Sequence, residues 1–200
     1  FTNNDSGYET AIEFKKNGVE PIILDTRKGP NSEIIDEAKN LGIQIKFSYV
    51  VVSAKGYKKV NNAEIAKISD NKNDIGVLEN INCDCICVSG FWTPTIHLAS
   101  QSGNKTKFDK DIDAFVPGVS KQNETTLGAA NGTFTLVETL KDSFNAGYEL
   151  SKKITKNNNK IPHPTVVEKK KTTHDKFWCV PLPKGKTYKR FLDFQNDVAV

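Results

Sequence analysis

The sequence predicts an α/β fold, with helices packed on a parallel sheet, and three observations support this. A polar turn at residues 2–7 leads directly into a helix, a continuously apolar strand follows at residues 21–25, and an acidic residue, Asp25, ends that strand. Nucleotide-binding βαβ units have the same order of turn, helix and acidic strand end. Phe1 lies inside or at the end of what should be the first strand, and the chain contains no methionine. We therefore expect the sequence to be a piece of a longer chain.

Local signals place the first elements. We predict that Ser6 caps a helix running to about Asn17, because Glu9 stands in the capping-box position three residues later. Gly18 is predicted to end this helix. The strand at residues 21–25 has no polar residue before its last position, which is typical of a parallel strand covered on both faces.

The next elements complete a three-layer α/β domain over residues 1–110. A helix starts at Asn31 or Ser32 and ends at Gly42, and extended structure follows at 43–53. Two antiparallel strands at 57–68 and 75–81 are then joined by a polar turn at 69–74, and a buried strand follows at 83–89.

The second half of the chain is predicted to contain one long helix. Apolar residues recur at 3–4 spacing from Thr133 to about Ile154, after a small-residue turn at 127–132. Residues 155–176 are predicted to form a linker, and the tail at 177–200 contains two predicted short strands, 178–182 and 188–194.

Composition and charge exclude several functions. The 200 residues are 37% hydrophobic and 26% charged, which indicates a soluble globular chain. The net charge of +4 comes largely from a lysine run at 169–171, without the interleaved aromatic residues of a nucleic-acid-binding surface. No apolar stretch approaches the roughly 18 residues that a membrane span needs. We expect neither nucleic acid nor membrane as a partner.

The four cysteines are Cys83, Cys85, Cys87 and Cys179. Alternate residues of a strand lie roughly 7 Å apart, too far for a disulfide. We interpret the first three as small buried hydrophobic residues, with a metal site as the less favoured alternative, because metal sites use Cys-x-x-Cys spacing. This indicates a reducing compartment and a cytoplasmic protein.

The turn at residues 2–7 is the first candidate cofactor site. Aligned on Gly-x-Gly-x-x-Gly it keeps only the third glycine, Gly7, while Asn3 and Asn4 can still adopt the bend and Ser6 begins the helix. The Asp5 carboxylate would repel a pyrophosphate unless it points away. The turn is therefore either a dinucleotide site or a relic of one.

Asp25 stands where a carboxylate accepts both hydroxyls of an adenosine ribose, which favours NAD over NADP. Arg27, two residues later, is the residue type that binds a 2′-phosphate. The alternative interpretation is that Asp25 simply forms an ion pair with Arg27. The sequence leaves both open.

A second candidate turn contains Gly128, Ala129 and Gly132. Small residues before a helix let a phosphate or ribose approach backbone N–H groups closely, and they also permit close helix–strand packing. His97, His163 and His174 share no metal-ligand spacing, and we interpret them as structural or exposed. We predict no catalytic residue and no metal site in this chain.

Several stretches resemble the α subunit of heterotetrameric sarcosine oxidase, in the same order. Residues 2–9 are similar to its "TNDSAYE" turn, 24–27 to "IDAR", 83–103 to "CDLLAVSGGWSPVVHLHSQSGG" and 190–198 to "FVDFQNDV". Residues 114–118 and 128–132 also have close counterparts. Gly90, in the third of these stretches, joins the candidate cofactor-binding residues.

This resemblance implies an incomplete FAD/NAD(P)-binding Rossmann-like fold of the disulfide-reductase type with a C-terminal extension. Residues 1–110 would be an inserted NAD(P)-binding-like domain, 111–154 a return segment of the first nucleotide-binding domain, and 177–200 the start of the next module. The disulfide reductases grip the FAD ribityl chain with an aspartate where this sequence has Ala129, which argues for NAD here.

The family's activity follows as an expectation. Such complexes demethylate sarcosine to glycine with folate and O2 at a flavin of the β subunit. NAD is then expected in this chain, FMN and FAD in other subunits or at the interface, tetrahydrofolate in a domain absent here, and β, γ and δ subunits as partners. The alternatives are the α subunit of a related amino-acid dehydrogenase or hydrogen cyanide synthase, and a scaffold domain with a decayed nucleotide site.

Overall fold

A computed structural model gives the fold and describes residues 1–90, 92–155, 162, 165–166 and 175–185, with the backbone of 191–193 and 198–199. The chain divides into two compact units, residues 1–91 with 173–200 and residues 92–172, which are described separately. Most of the predicted linker and part of the strand predicted at 188–194 lie outside the described residues, as do His163 and His174.

The elements of the first unit are, in chain order, α1 (Ser6–Lys16), β1 (Ile22–Asp25), α2 (Glu33–Asn40), β2 (Gln44–Phe47), β3 (Tyr49–Gly56), β4 (Val60–Lys67), β5 (Glu79–Asn82), β8 (Phe191–Asp193) and β9 (Val198–Ala199). Those of the second unit are α3 (His97–Gln101), β6 (Thr106–Asp109), β7 (Ala114–Pro117), a 3-10 helix (Gly128–Asn131) and α4 (Leu136–Thr155).

The predicted α/β arrangement is present in the first unit. Helix α1 buries Tyr8, Ala11 and Ile12, which share one helical face, and β1 pairs in parallel with β2 from the Ile22/Gln44 level onwards. The three buried residues of α1 form one apolar cluster between helices and sheet with Ile23, Ile35, Ala38 and Ile43. Each large aliphatic side chain buried there stabilises the fold by about 1.5–3 kcal/mol. The predicted α/β class is therefore confirmed.

The start of α1 differs from the prediction in its capping residue. Asp5, not Ser6, is the N-cap residue, and its side chain makes no capping bond. The Asn4 Oδ1 atom accepts the Ser6 N–H at 2.9 Å instead, because an asparagine side chain readily bonds the backbone two residues on. The predicted end of the helix is confirmed, since the helix closes at Asn17 and Gly18 follows with φ 82°.

The extended region predicted at 43–53 is two strands rather than one. Ser48 adopts φ 57°, a left-handed conformation that ends β2 and redirects the chain into β3. β3, β4 and β5 then form an antiparallel sheet. The pairing of β4 with β5 is the predicted antiparallel pair, with the Ser69 N–H bonded to the Asp74 C=O across the polar turn, and the pairing of β3 with β4 was not predicted. Residues 57–59 belong to the β3–β4 turn, and β5 begins only at Glu79.

The predicted buried strand at residues 83–89 is wrong. This segment has no regular strand, and Cys85, Cys87 and Val88 are exposed. Within the described residues, its end pairs with Phe1 and Thr2 through the Thr2–Ser89 bridge and the Phe1 bonds to Cys87 and Ser89, and the Cys83 N–H bonds the Asn61 C=O at its start. This pairing is too short for a ladder. The strand predicted at 178–182 is also wrong, because no described strand pairs with those residues.

The second unit contains the predicted long helix. α4 begins at Leu136, three residues later than predicted, because Thr135 caps it: the Glu138 N–H donates to Thr135 Oγ1 at 3.3 Å, and the Thr135 hydroxyl donates to the Glu138 carboxylate at 2.7 Å. β6 and β7 form an antiparallel pair, with Phe108 and Phe115 edge to face at 5.3 Å. None of the described helices is long and apolar enough to cross a membrane.

Candidate functional site

The turn at residues 2–7 lies at the carboxyl end of β1. The Thr2 N–H donates to the Leu24 C=O at 2.9 Å, and the Thr2 C=O accepts from the Thr26 N–H at 3.0 Å. On its other side, the Phe1 C=O accepts from the Ser89 N–H at 2.9 Å. Open α/β sheets bind ligands at this edge, so the fold places the predicted turn at the expected end of the strand.

Three of the predicted site residues, Asn4, Ser6 and Gly90, meet at this turn. Asn4 Oδ1 accepts from the Ser6 hydroxyl at 2.6 Å as well as from the Ser6 N–H, and Asn4 Nδ2 donates to the Gly90 C=O at 2.8 Å. The Ser6 and Ser89 hydroxyls are 2.6 Å apart. Their polar groups bond to one another, so a ligand at this turn has to replace bonds that already exist.

Asn3 is covered by a residue that sequence reasoning missed, Asp175. The Asp175 N–H donates to the Asn3 C=O at 2.8 Å, and Asn3 Nδ2 donates to the Asp175 C=O at 3.0 Å. Lys72 forms an ion pair with the Asp175 carboxylate, and the Thr26 hydroxyl donates to it at 3.4 Å. No local pattern could identify a partner 172 positions from Asn3.

Gly7 permits close packing of α1 against the start of the chain. A Cβ atom at this position would stand 2.6 Å from Thr2 Cβ and 2.7 Å from Thr2 Oγ1. Real Cβ atoms do not tolerate such distances, and this close helix–strand contact is what the third glycine of a dinucleotide turn allows.

Asp25 and Arg27 belong to a buried polar cluster with Tyr8 and Asp5. The Asp25 side chain is 0% exposed. It accepts from the Arg27 backbone N–H at 2.9 Å, from Arg27 Nε at 3.0 Å and Nη2 at 2.9 Å, and from the Tyr8 hydroxyl at 2.7 Å. Arg27 Nη1 also contacts the Asp5 carboxylate at 2.7 Å. Asp25 is therefore paired with Arg27, as in the alternative interpretation to a ribose site. The Asp5 carboxylate contacts the same guanidinium.

The cluster shifts the pKa values of two of its residues, Tyr8 and Arg27. Burial raises the pKa of Tyr8 above its ordinary value, and the hydrogen bond to Asp25 raises it further. Burial alone would lower the pKa of Arg27, but its hydrogen bonds to Asp25 and Asp5 outweigh this and raise it. Both groups therefore keep their protons as hydrogen-bond donors. Sequence reasoning missed Tyr8, although helical spacing from Ala11 and Ile12 puts it on the buried face of α1.

The second candidate turn lies in the second unit. Gly128 and Gly132 have φ values of 64° and 84°, which favour glycine. Their added Cβ atoms would stand 3.0 Å from Thr139 Cγ2 and 2.7 Å from Ile112 Cδ1, so both glycines also serve packing. Ala129, between them, is exposed.

The interpretation of the cysteines as buried and too far apart is wrong. Cys85 Sγ and Cys87 Sγ lie 3.9 Å apart and both residues are exposed, while Cys83 is half-buried. Because the segment is not a regular strand, alternate side chains are not held 7 Å apart. The hydrogen bond to Cys87 raises the pKa of the Cys85 thiol. His97 is exposed, and no cluster of three metal-ligand side chains exists among the described residues.

The described fold and turn define an α/β protein with the βαβ-like order of a nucleotide-binding domain. The chain is 29% identical over 206 residues to "Sarcosine oxidase subunit alpha" of Rhizobium meliloti (strain 1021), covering 99% of this chain and 19% of that subunit. It is 27% identical over 135 residues to the same subunit of Corynebacterium sp. (strain P-1), covering 66% of this chain and 14% of that subunit. The resemblance predicted from the sequence is confirmed, and the chain spans less than a fifth of these relatives.

No family model matches the chain. Among solved structures, it is similar to thioredoxin reductase of T. acidophilum (16% identity, 72% of this chain and 54% of that one, TM-score 0.43). It is also similar to the bacillithiol disulfide reductase YpdA of Staphylococcus aureus (15% identity, 72% of this chain and 49% of that one, TM-score 0.45).

Proposed function

We propose that this chain is the nucleotide-binding part of a sarcosine oxidase α subunit, within an oxidoreductase complex that demethylates sarcosine to glycine with folate and O2. The observation that carries the proposal is the similarity to the Rhizobium meliloti subunit along 99% of the chain. In this proposal the chain contributes NAD binding and contacts to β, γ and δ subunits. The catalytic flavin belongs to the β subunit, FMN and FAD lie in other subunits or at the interface, and tetrahydrofolate binds a domain outside this sequence.

Of the two candidate turns, we assign NAD to residues 128–132. The polar groups of Asn3 and Asn4 are buried and bonded within the protein, and Asp25 is fully buried against Arg27 and Tyr8. Ala129, in contrast, is exposed and small. It also lacks the carboxylate that would hold a flavin ribityl chain. These features support NAD at the second turn and a structural role for the first.

The test is calorimetric titration of NAD and NADP into the purified chain and three variants. Ala129→Glu places a negative charge on the second turn and should weaken NAD binding at least about tenfold if a diphosphate lies there. Asn123→Glu makes the same charge change at another exposed residue and serves as the matched control. Ser6→Ala removes the hydroxyl that bonds Asn4 and Ser89 in the first turn and should leave the affinity unchanged.

Binding of neither nucleotide to the folded chain would overturn the cofactor assignment and favour the scaffold alternative. Loss of binding in Ser6→Ala but not in Ala129→Glu would move the site to the first turn. The activity is tested separately, by O2 uptake of the assembled complex with sarcosine. Turnover of a different amino acid, without sarcosine turnover, would favour a related amino-acid dehydrogenase or hydrogen cyanide synthase.

A further inference from the structure

The carboxylate of Glu124, in the second unit, joins two loops through polar contacts to one of its oxygen atoms. Asn104 Nδ2 and the Ser102 hydroxyl each donate to Glu124 Oε1 at 2.5 Å, and the Ser120 hydroxyl lies 3.2 Å from the same atom. Ser102 and Asn104 belong to the connection between α3 and β6, whereas Ser120 and Glu124 belong to the loop at 118–127 that follows β7. The carboxylate therefore ties this loop to the α3–β6 connection.

Asn104 makes this tie on both sides of its amide and is only 8% exposed. Its Nδ2 donates to Glu124, while its Oδ1 accepts from the Lys121 N–H at 2.8 Å. A buried amide whose donor and acceptor are both satisfied holds its partners in one arrangement. Hydrogen bonds, above all the one from Ser102, lower the pKa of Glu124 below its ordinary value. The acceptor of this tie is therefore an ionised carboxylate.

The loop leads directly into the second candidate turn. Three residues separate Glu124 from Gly128. The last of them, Leu127, is extended with φ −133° and ψ 166°, and Gly128 then takes φ 64°. An extended segment of this length has little slack, so a shift of Glu124 is passed on to the turn. The far end of the turn is held by packing, because a Cβ atom at Gly132 would stand 2.7 Å from Ile112 Cδ1.

We propose that Glu124 is a positioning residue, whose bonds to Asn104 and Ser102 hold the turn at 128–132 in the conformation that binds NAD. This role rests on the proposed binding of NAD at that turn. A site that is competent in only a fraction of the molecules binds its ligand more weakly by that fraction. The negative charge of Glu124 has the opposite effect, because a carboxylate near a diphosphate weakens its binding. Positioning and charge are therefore distinguishable when the carboxylate is removed.

Two substitutions at Glu124 separate these effects. Glu124→Ala removes the acceptor and the charge, whereas Glu124→Gln removes the charge and keeps an oxygen atom that can accept from Asn104 and Ser102. In calorimetric titration we expect Glu124→Ala to weaken NAD binding at least about fivefold, and Glu124→Gln to stay within about twofold of the native chain. Tighter NAD binding in both variants would show that only the charge matters, and would overturn the proposal.

Amide hydrogen exchange reports the conformation of the turn without nucleotide. The Gly132 N–H bonds to the Ala129 C=O at 3.2 Å and the Thr133 N–H to the Gly128 C=O at 3.1 Å, so their exchange follows opening of the turn. Glu124→Ala should speed both exchanges at least about fivefold and leave the β6–β7 pair unchanged. Unchanged exchange at the turn would refute positioning. Equally faster exchange in β6 and β7 would refute it too, because Glu124 would then stabilise the whole unit.

Two further variants complete the test. Glu149→Ala removes a carboxylate of α4 that pairs with Lys152 at 3.1 Å, and as the matched control it should change neither measurement. If Glu124→Ala does not fold, exchanging donor and acceptor replaces it. Asn104→Asp alone brings two carboxylates together and should weaken NAD binding at least about fivefold, and adding Glu124→Gln should restore it to within about twofold. No recovery in this double variant would contradict the proposal.

Failure of the proposed function is distinguishable from failure of this inference. If the native chain binds no NAD, the assignment of the nucleotide to the turn is wrong. The exchange of the Gly132 and Thr133 amides then decides the role of Glu124 by itself. Faster exchange in Glu124→Ala that is confined to the turn supports positioning, and unchanged exchange rejects it.

Discussion

Replacing Tyr8 with phenylalanine measures how much the buried polar cluster stabilises the fold. The change removes only the hydroxyl that donates to Asp25 at 2.7 Å, in a residue that is 0% exposed. A hydrogen bond to a charged group contributes about 1.5–3 kcal/mol, and water cannot replace this hydroxyl. We expect a loss of about 2 kcal/mol in the free energy of unfolding, or about 4–8 °C in Tm for a chain of this size.

Tyr49→Phe is the matched control. The Tyr49 hydroxyl donates to the Glu79 carboxylate at the same 2.7 Å, but the Glu79 side chain is 42% exposed. Water can take the place of this hydroxyl, so the loss should stay below about 1 kcal/mol. Urea and thermal denaturation followed by circular dichroism give both values. Equal losses in the two variants, or no loss in Tyr8→Phe, would refute the reasoning that burial makes the Asp25 bond the stronger one.

The pH dependence gives a second readout of the same variant. The pKa of Tyr8 is raised in the fold, whereas an unfolded tyrosine titrates near pH 10. Above about pH 10 the unfolded chain therefore releases a proton that the folded chain keeps, and stability falls by up to about 1.4 kcal/mol per pH unit until the folded value is reached. The full contribution is present below pH 10. The stability gap between the native chain and Tyr8→Phe should narrow above that pH, and a constant gap would contradict the assignment.

Two further predictions concern close contacts in the first unit. Gly7→Ala should destabilise the fold by about 1–3 kcal/mol despite the better helix propensity of alanine, because the new Cβ meets Thr2 at 2.6 Å. Chemical denaturation measures this, and a neutral Gly7→Ala would contradict the contact. The 3.9 Å separation of the Cys85 and Cys87 sulfur atoms suits a reagent that bridges two thiols. Mass spectrometry should show one phenylarsine oxide bound to the native chain, and none retained at this pair in Cys85→Ser or Cys87→Ser. Retention in both variants would show that the bridged thiols lie elsewhere.

The elements that the sequence predicted best depend on local signals. α1 and its end at Gly18 follow from helical spacing of apolar residues and from a glycine that adopts positive φ. β1 follows from an unbroken apolar run. Ser48 shows the limit of this reasoning, because a serine at φ 57° carries no composition signal, yet it separates a parallel strand from an antiparallel one.

Features that depend on distant partners could not be predicted. Residues 83–89 have the composition of a buried strand, but a strand forms only where another strand pairs with it along its length. In the part of the chain that the structure describes, the pairing of this segment amounts to the bridge between Ser89 and Thr2, two bonds to Phe1 and one bond from the Cys83 N–H to the Asn61 C=O. The ion pair of Asp25 with Arg27 was one of two open interpretations of Asp25, because a spacing of two residues fits an ion pair and a ribose site equally well. Asp5 contacts Arg27 and Tyr8 bonds Asp25, and these contacts, which are visible only in three dimensions, favour the ion pair.

Asp175 covers Asn3 in the first turn. Its backbone exchanges two hydrogen bonds with Asn3, and its carboxylate pairs with Lys72. A nucleotide at this turn has to displace these contacts and supply equivalent bonds to the buried amide of Asn3, since a buried polar group left without a partner costs about 1–3 kcal/mol. A dinucleotide contributes oxygen atoms that can accept from Asn3 Nδ2, but its diphosphate offers no donor for the Asn3 C=O. The exchange at Asn3 therefore counts against a nucleotide here and supports our proposal that the first turn has a structural role.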